Sequence, residues 1–208
     1  SWPDFRLEVE TILRLARPVA SGRVLELGCG SGALLRTVAP IARLAGGMDI
    51  SAAGRELAAG WIRQEVRGRT GVGLLCARAE KLPFDDGSFD AVVSQHLVEH
   101  LDDPSAALAE WYRVLRPGGI LVLVTPNGDY PDPEIFADPT HNVLFTHGSL
   151  RSYLSASGFH VDRLFTLFPY LGRGRVARFT SIRLARVARQ IPGLNLTGRS
   201  LVASATRM

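Results

Sequence analysis

The sequence predicts an α/β protein with a doubly wound, mostly parallel sheet, on three observations. The run Val24-Leu25-Glu26-Leu27 is short, branched and apolar but for one acid. It enters the glycine-dense turn Gly28-Cys29-Gly30-Ser31-Gly32, behind which residues 33–38 pattern as a helix. Further short apolar runs then alternate with helical segments, the arrangement that gives a parallel sheet with helices on both faces. The third observation is a spacing: Asp49 closes the second run, 21 positions after Gly28, where an acid at the tip of a strand can accept from ribose hydroxyls.

Taken in order, residues 4–17 read as an amphipathic helix with Phe5, Val9, Ile12, Leu13 and Ala16 on one side. Pro18 ends it, and Ser21-Gly22 turns the chain into the first strand. The glycines of the first turn allow a tight bend, bring a ligand against bare backbone and let the helix pack close to the strand. The helix N-terminus behind them offers N–H groups and partial positive charge to an anion. The second strand falls within 42–51 and a helix over 53–66 follows; Ser51 can cap it, which leaves Asp49 for a ligand. Residues 73–77 are a third strand, 85–88 a turn and 89–94 a fourth, buried strand. A helix over 104–115 is closed by Pro117-Gly118-Gly119, and 120–125 is a fifth strand. Residues 126–150 form a long loop leaving the C-terminal end of that strand, the end at which open sheets bind ligands, and Tyr130, Phe136 and Phe145 give it something to pack. A helix over 149–157 and strands over 159–165 and 200–205 follow. Between those strands Val176, Thr180, Leu184, Val187 and Ile191 make one helical face, with Arg175, Arg178, Arg186 and Arg189 on the other. That basic face is read as solvated over a docked helix; the alternative is peripheral contact of 173–189 with an anionic membrane or partner.

A chain of 208 residues, 46% hydrophobic and 21% charged, fits one domain over 1–208 with a full core. No run reaches membrane-spanning length, and no charged-then-apolar leader is seen, so the expected location is cytoplasmic. Cys29 and Cys76 sit in no metal spacing and are expected as buried, reduced thiols. The net charge of +4 is uneven: −5 over residues 1–162 and +9 beyond, all of it Arg.

Several blocks together carry a family resemblance. Leu25-Glu26-Leu27-Gly28-Cys29-Gly30-Ser31-Gly32 resembles motif I of the class I S-adenosylmethionine-dependent methyltransferases, and Met48-Asp49-Ile50-Ser51 their second motif. Ala79-Glu80-Lys81-Leu82-Pro83-Phe84, Ser88-Phe89-Asp90, Glu99-His100 and Arg113-Val114-Leu115-Arg116-Pro117-Gly118-Gly119 are similar to the small-molecule branch that includes quinone-biosynthesis enzymes. The resemblance implies a seven-stranded Rossmann-like sheet closed by an antiparallel strand at 200–205, with S-adenosyl-L-methionine as cofactor. It implies that Gly28, Cys29 and Gly30 present backbone to the methionyl part and that Glu26 faces the ammonium. Asp49 holds the ribose, Ile50 lies on the adenine face and Ala79 meets the adenine edge. Ser94, Gln95 and His96 lie beneath the methionyl chain and methyl group. Relatives carry an acid where this chain has Arg78, so Glu80 is the substitute for the adenine amino group, or else stacking and backbone hold the ring.

A hydroxyl acceptor needs a base, and His is the usual one; His96, His100 and His141 are the catalytic candidates, beside Glu99 and His147. Asp138-Pro139-Thr140-His141 with Phe145-Thr146 is similar to a segment of methyltransferases acting on sugars, lipids and natural products, which puts His141 toward the substrate. His96-Leu97-Val98-Glu99-His100 matches a zinc-protease pattern, but it begins where a sheet strand ends rather than inside a long helix. Glu99, His100 and His141 also resemble a set that binds a divalent ion in some quinone and RNA 2′-hydroxyl methyltransferases. The first glutamate of that set is His96 here, and no metal is assigned. The reading is methyl transfer to a small molecule, most simply at oxygen. The rivals are a nicotinamide-dependent (NAD) oxidoreductase, which Gly28-x-Gly30-x-x-Ala33 also fits, an RNA 2′-O-methyltransferase and a non-catalytic cofactor-binding module. Nucleic acid is disfavoured because Ser94-Gln95-His96-Leu97 stands where a base-methylation motif belongs.

Overall fold

The structure is a computed structural model and describes residues 3–17, 19, 21–65, 71–130, 136–167 and 198–208. Pro18 and the basic helical insertion expected over 170–198, all but its last residue, lie outside these. Helices α1 (Pro3–Ala16), α2 (Ala33–Val38), α3 (Ala52–Glu65), α4 (Pro104–Val114) and α5 (His147–Ala156) alternate with strands β1 (Arg23–Leu27), β2 (Leu44–Met48), β3 (Val72–Leu75), β4 (Phe89–Gln95) and β5 (Leu115–Pro126). Strands β6 (Phe159–Leu167) and β7 (Ser200–Arg207) complete one sheet in the order β3-β2-β1-β4-β5-β7-β6. Every pairing from β3 to β5 is parallel, and β7 runs antiparallel between β5 and β6. The Rossmann-like sheet and its antiparallel closing strand are therefore as the sequence predicts.

Because successive strand residues point to opposite faces, the apolar runs feed two cores. Val24, Ala91, Val93, Val122 and Val124 face Val9, Ile12 and Ala16 of α1 and Leu34 and Val38 of α2. Leu25, Leu27, Val92, Leu121 and Leu123 face Leu108 and Trp111 of α4 and Leu150 and Leu154 of α5. Trp111 is fully buried, and its indole N–H donates to the Ala79 carbonyl at 3.0 Å, which ties the β3–β4 connection to α4. Helix α4 starts as its sequence dictates, with Pro104 in the first turn and Asp103 accepting from the Ala106 N–H at 2.9 Å.

One boundary differs from expectation. Pro117-Gly118-Gly119 does not close α4 as a turn; β5 begins at Leu115, directly after the helix, and pairs Leu115 with Phe89 across a bulge. Asp90 explains the geometry. Its carboxylate accepts from the Arg23 N–H and from Arg116 Nε, each at 2.7 Å, so β1, β4 and the start of β5 are pinned together at the end of the sheet away from the ligand side. Arg113 acts similarly, bonding Glu110, Asp86 and the Leu82 carbonyl. The blocks around Phe89-Asp90 and Arg113–Gly119 are thus framework rather than site.

Candidate functional site: a cleft at the strand tips

The strand order reverses between β1 and β4, the point at which open α/β sheets bind ligands beyond their C-terminal ends. A cleft opens there, lined by Gly28, Asp49, Ile50, Ala79, Glu80 and His100 among others. Leu97 and Leu101 supply apolar wall. Arg78 is on the cleft too, and its guanidinium reaches Glu80 at 3.2 Å.

The glycine-rich turn is held from β2. The N–H groups of Gly28 and Cys29 both donate to the Met48 carbonyl, at 2.8 and 3.0 Å, and the Gly30 N–H donates to Asp49 Oδ2 at 2.7 Å. Asp49 Oδ1 accepts from the Ser51 N–H at 2.7 Å, and Ser51 itself caps α3 by accepting from the Gly54 N–H at 3.1 Å. The cap is therefore Ser51, as the sequence suggests, and Asp49 stands at the cleft. Gly30, at φ +46°, has nothing within 4 Å of where a Cβ would sit; the backbone there is bare toward open space.

Glu26 corrects the expectation that the α2 N-terminus serves an anion. Its carboxyl accepts from the Leu35 N–H in the first turn of α2, while Oε2 is buried with no hydrogen-bond partner. Burial, helped by Asp49 nearby, pushes its pKa up to about 8. A buried, half-satisfied acid beside a bare glycine turn is suited to a cation. Cys29 is buried and its thiol is pushed up to about 12 by burial and by Glu26 and Asp49, so it is no nucleophile. Cys76, expected buried, is exposed.

At the end of β4, His96 corrects a second expectation. It is a non-glycine residue at φ +53°, and both its ring nitrogens meet carboxylates: Nε2 lies 2.9 Å from Glu8 and Nδ1 3.3 Å from Glu99. Burial would lower its pKa, but the two acids outweigh it and raise it to about 10. An imidazolium clamped in this way has no lone pair with which to take a proton, so it is not the base. Glu8 comes from α1, is 3% exposed and also accepts from Gln95 Nε2 at 2.6 Å and the Ser200 hydroxyl at 2.5 Å. Gln95 is thus committed to Glu8. Ser94 is fully buried, and its hydroxyl has no partner.

His100 is arranged differently. Its Nδ1 lies 2.8 Å from the Thr140 carbonyl, which can only accept, so Nδ1 carries the hydrogen and Nε2 the lone pair. The His141 ring centroid is 5.0 Å from that of His100, and His141 Nε2 is 3.7 Å from Asp138. Glu99 is 1% exposed; it accepts from the Thr125 hydroxyl at 3.0 Å and lies 3.9 Å from His100 Nε2. One ligand atom each from Glu99, His100 and His141 falls within 4.8 Å of the others. The 138–146 part of the loop is stitched to this corner by Asn142 and Val143, whose N–H groups donate to the Glu99 carbonyl at 2.8 and 3.0 Å. Phe145 is fully buried against Tyr153. His147, a lesser candidate, starts α5, with Nε2 3.3 Å from the Leu164 carbonyl; Phe136 is exposed.

Residues 25–123 match the methyltransferase domain family. A protein described as a probable S-adenosylmethionine-dependent methyltransferase of Mycolicibacterium smegmatis is 32% identical over 171 residues, 81% of this chain and 63% of that protein. A ubiquinone biosynthesis O-methyltransferase of Parvibaculum lavamentivorans is 32% identical over 115 residues, 55% of this chain and 44% of that protein. The chain therefore spans less than two thirds of the length of these relatives. The crystal structure of an S-adenosylmethionine-dependent methyltransferase from Mesorhizobium loti shares the fold, with a TM-score of 0.71 at 21% identity over 96% of this chain and 95% of that one. Residues 25–123 are thus matched as a methyltransferase domain, and the relatives make the chain similar to the class I S-adenosylmethionine-dependent methyltransferases, whose cofactor is S-adenosyl-L-methionine. The residues present fit that cofactor: the unpartnered Glu26 oxygen suits an ammonium, and the bare Gly30 turn leaves room for a ligand against backbone.

Proposed function

We propose that this chain transfers a methyl group from S-adenosyl-L-methionine to a hydroxyl of a small molecule, with His100 as the base. The cofactor supplies an activated sulfonium methyl. The chain's residues position and deprotonate: Glu26 meets the ammonium, and Gly28, Cys29 and Gly30 give backbone contact. Asp49 holds the ribose, Ile50 covers the adenine face, and Ala79 and Glu80 lie at the adenine edge. His141 orients the acceptor beside His100. His96, Gln95 and Ser94 support this arrangement from beneath. The whole of 1–208 is read as one domain, with the 126–150 segment on the acceptor side and 173–189 as a peripheral basic face. Two relatives that are ubiquinone biosynthesis O-methyltransferases support oxygen as the acceptor atom; a third, a ubiquinone/menaquinone biosynthesis C-methyltransferase, makes carbon the alternative.

The observation that carries the reading is the fixed tautomer of His100, whose Nδ1–H is spent on the Thr140 carbonyl so that its basic nitrogen remains for an acceptor proton. The test is transfer of radiolabelled methyl to a panel of phenols and hydroxylated quinones. With an accepted substrate, His100→Ala lowers kcat by roughly 10²–10⁴-fold, the usual contribution of a positioned base. Wild-type rate in that variant, with the fold intact, overturns the assignment.

A second reading rests on the proximity of Glu99, His100 and His141: these three hold a divalent ion that acidifies the acceptor hydroxyl. Dialysis against EDTA abolishes turnover in that case, and Mg²⁺, Mn²⁺ or Zn²⁺ restores it. Unchanged turnover after dialysis leaves His100 as the base.

A further inference from the structure

Helix α3 lies outside the cleft, yet it touches the glycine-rich turn along one face. Gly54, Ala58 and Trp61 recur at the spacing of neighbours on a helix. A Cβ on Gly54 would stand 3.1 Å from three backbone atoms of Gly30. On the loop side, a Cβ on Gly32 would meet Trp61 Nε1 at 2.5 Å and the Ala58 methyl at 2.9 Å. The same helix reaches β2 through Arg55, whose Nη1 donates to the Asp49 carbonyl at 2.8 Å. Gly30 is thus fixed from two directions, by its N–H on Asp49 Oδ2 and by α3 behind it. Glycine inside a helix is less stable than alanine there, so Gly54 needs a reason. Gly60 of the same helix is the contrast, since nothing lies within 4 Å of a Cβ there.

We propose that Gly54 is a positioning residue for the cofactor: by letting α3 seat against Gly30, it holds the glycine-rich turn where the methionyl half of S-adenosylmethionine binds. This rests on the methyltransferase reading above. The ligand side is marked independently by the buried, unpartnered oxygen of Glu26 at the same turn. A methyl at residue 54 pushes on backbone that Asp49 already holds, so Gly30 shifts or its N–H bond to Asp49 lengthens. The adenosine half meets Ile50, Ala79 and Asp49, and Asp49 is still held by the Ser51 N–H and by Arg55 when Gly30 shifts, so that half is left nearly in place.

The test is calorimetric titration of the intact chain with S-adenosylhomocysteine and with adenosine, alongside thermal melts, for wild type, Gly54→Ala and Gly60→Ala. Gly54→Ala weakens S-adenosylhomocysteine by about tenfold or more and adenosine by less than about twofold. Gly60→Ala binds both as wild type does and melts no lower. Should Gly54→Ala fail to fold, Trp61→Leu, which loosens the seat of Gly32 without adding volume, shows the same split between the two ligands. Equal binding of S-adenosylhomocysteine by wild type and Gly54→Ala overturns the proposal, as does a parallel loss of both ligands. Failure of wild type itself to bind S-adenosylhomocysteine overturns the methyltransferase reading, and this inference with it.

Discussion

Glu26 is the residue whose environment has the clearest consequence in solution. Burial holds its pKa near 8, against an ordinary 4.5. The folded protein therefore keeps a proton that the unfolded chain releases between these values. The stability this confers is complete below pH 4.5 and is lost as pH rises through about 8. Glu26→Gln is expected to flatten the decline in melting temperature between pH 6 and 9. Binding of an ammonium beside Glu26 favours the carboxylate, so S-adenosylhomocysteine at pH 7 should displace about one proton. Titrations in buffers of different ionisation enthalpy measure that proton, and Glu26→Gln should abolish it. The neighbourhood of Glu26, Gly28, Gly30 and Asp49 was legible because motif and spacing put them at the tips of the adjacent strands β1 and β2. Glu8 was not: nothing local announces that an acid on α1 closes on His96, 88 positions away. The one available signal is that Glu8 falls between Phe5, Val9 and Ile12 on the side of the helix that the sequence assigns to the core.

Among the elements, α1 depends on that acid. Its apolar side packs on β4 and β5, while Glu8 buttons its N-terminal half to Gln95, His96 and Ser200. Glu8→Ala leaves several buried partners unmatched and is expected to lower stability by roughly 2–4 kcal/mol in chemical denaturation. Glu8→Gln should cost less, since an amide can still accept from Ser200. For the α-helices and strands among the described residues, type was legible, because apolar period and capping residues agree with the packing. The start of β5 was not. Pro-Gly-Gly reads as a turn, and only the long-range bonds of Arg116 and Arg23 to Asp90 make it the first part of a strand. The bonds from the loop after β5 to the Glu99 carbonyl are contacts between backbones that no side-chain pattern encodes.

For the whole molecule, alternation of strand and helix foretold the parallel part of the sheet, and the strand-order reversal set the cleft where the motifs meet. Among the described residues no helix is long and apolar enough to cross a membrane. The insertion of β7 between β5 and β6 has a further consequence, for how the chain acquires its shape during synthesis. Among the described residues β6 has no sheet neighbour other than β7, and β5 has β7 on one side. A nascent chain that has emerged only as far as Leu167 thus carries a β6 with nothing to pair with and a β5 with one open edge. Both wait for residues 200–207. Such edges are templates for association with other chains. A chain stopped at Leu167 is expected to aggregate or to be held by chaperones, which a ribosome-release or sedimentation assay would read out. Strand β7, made after the six others described, is the one that joins β6 to the rest of the sheet.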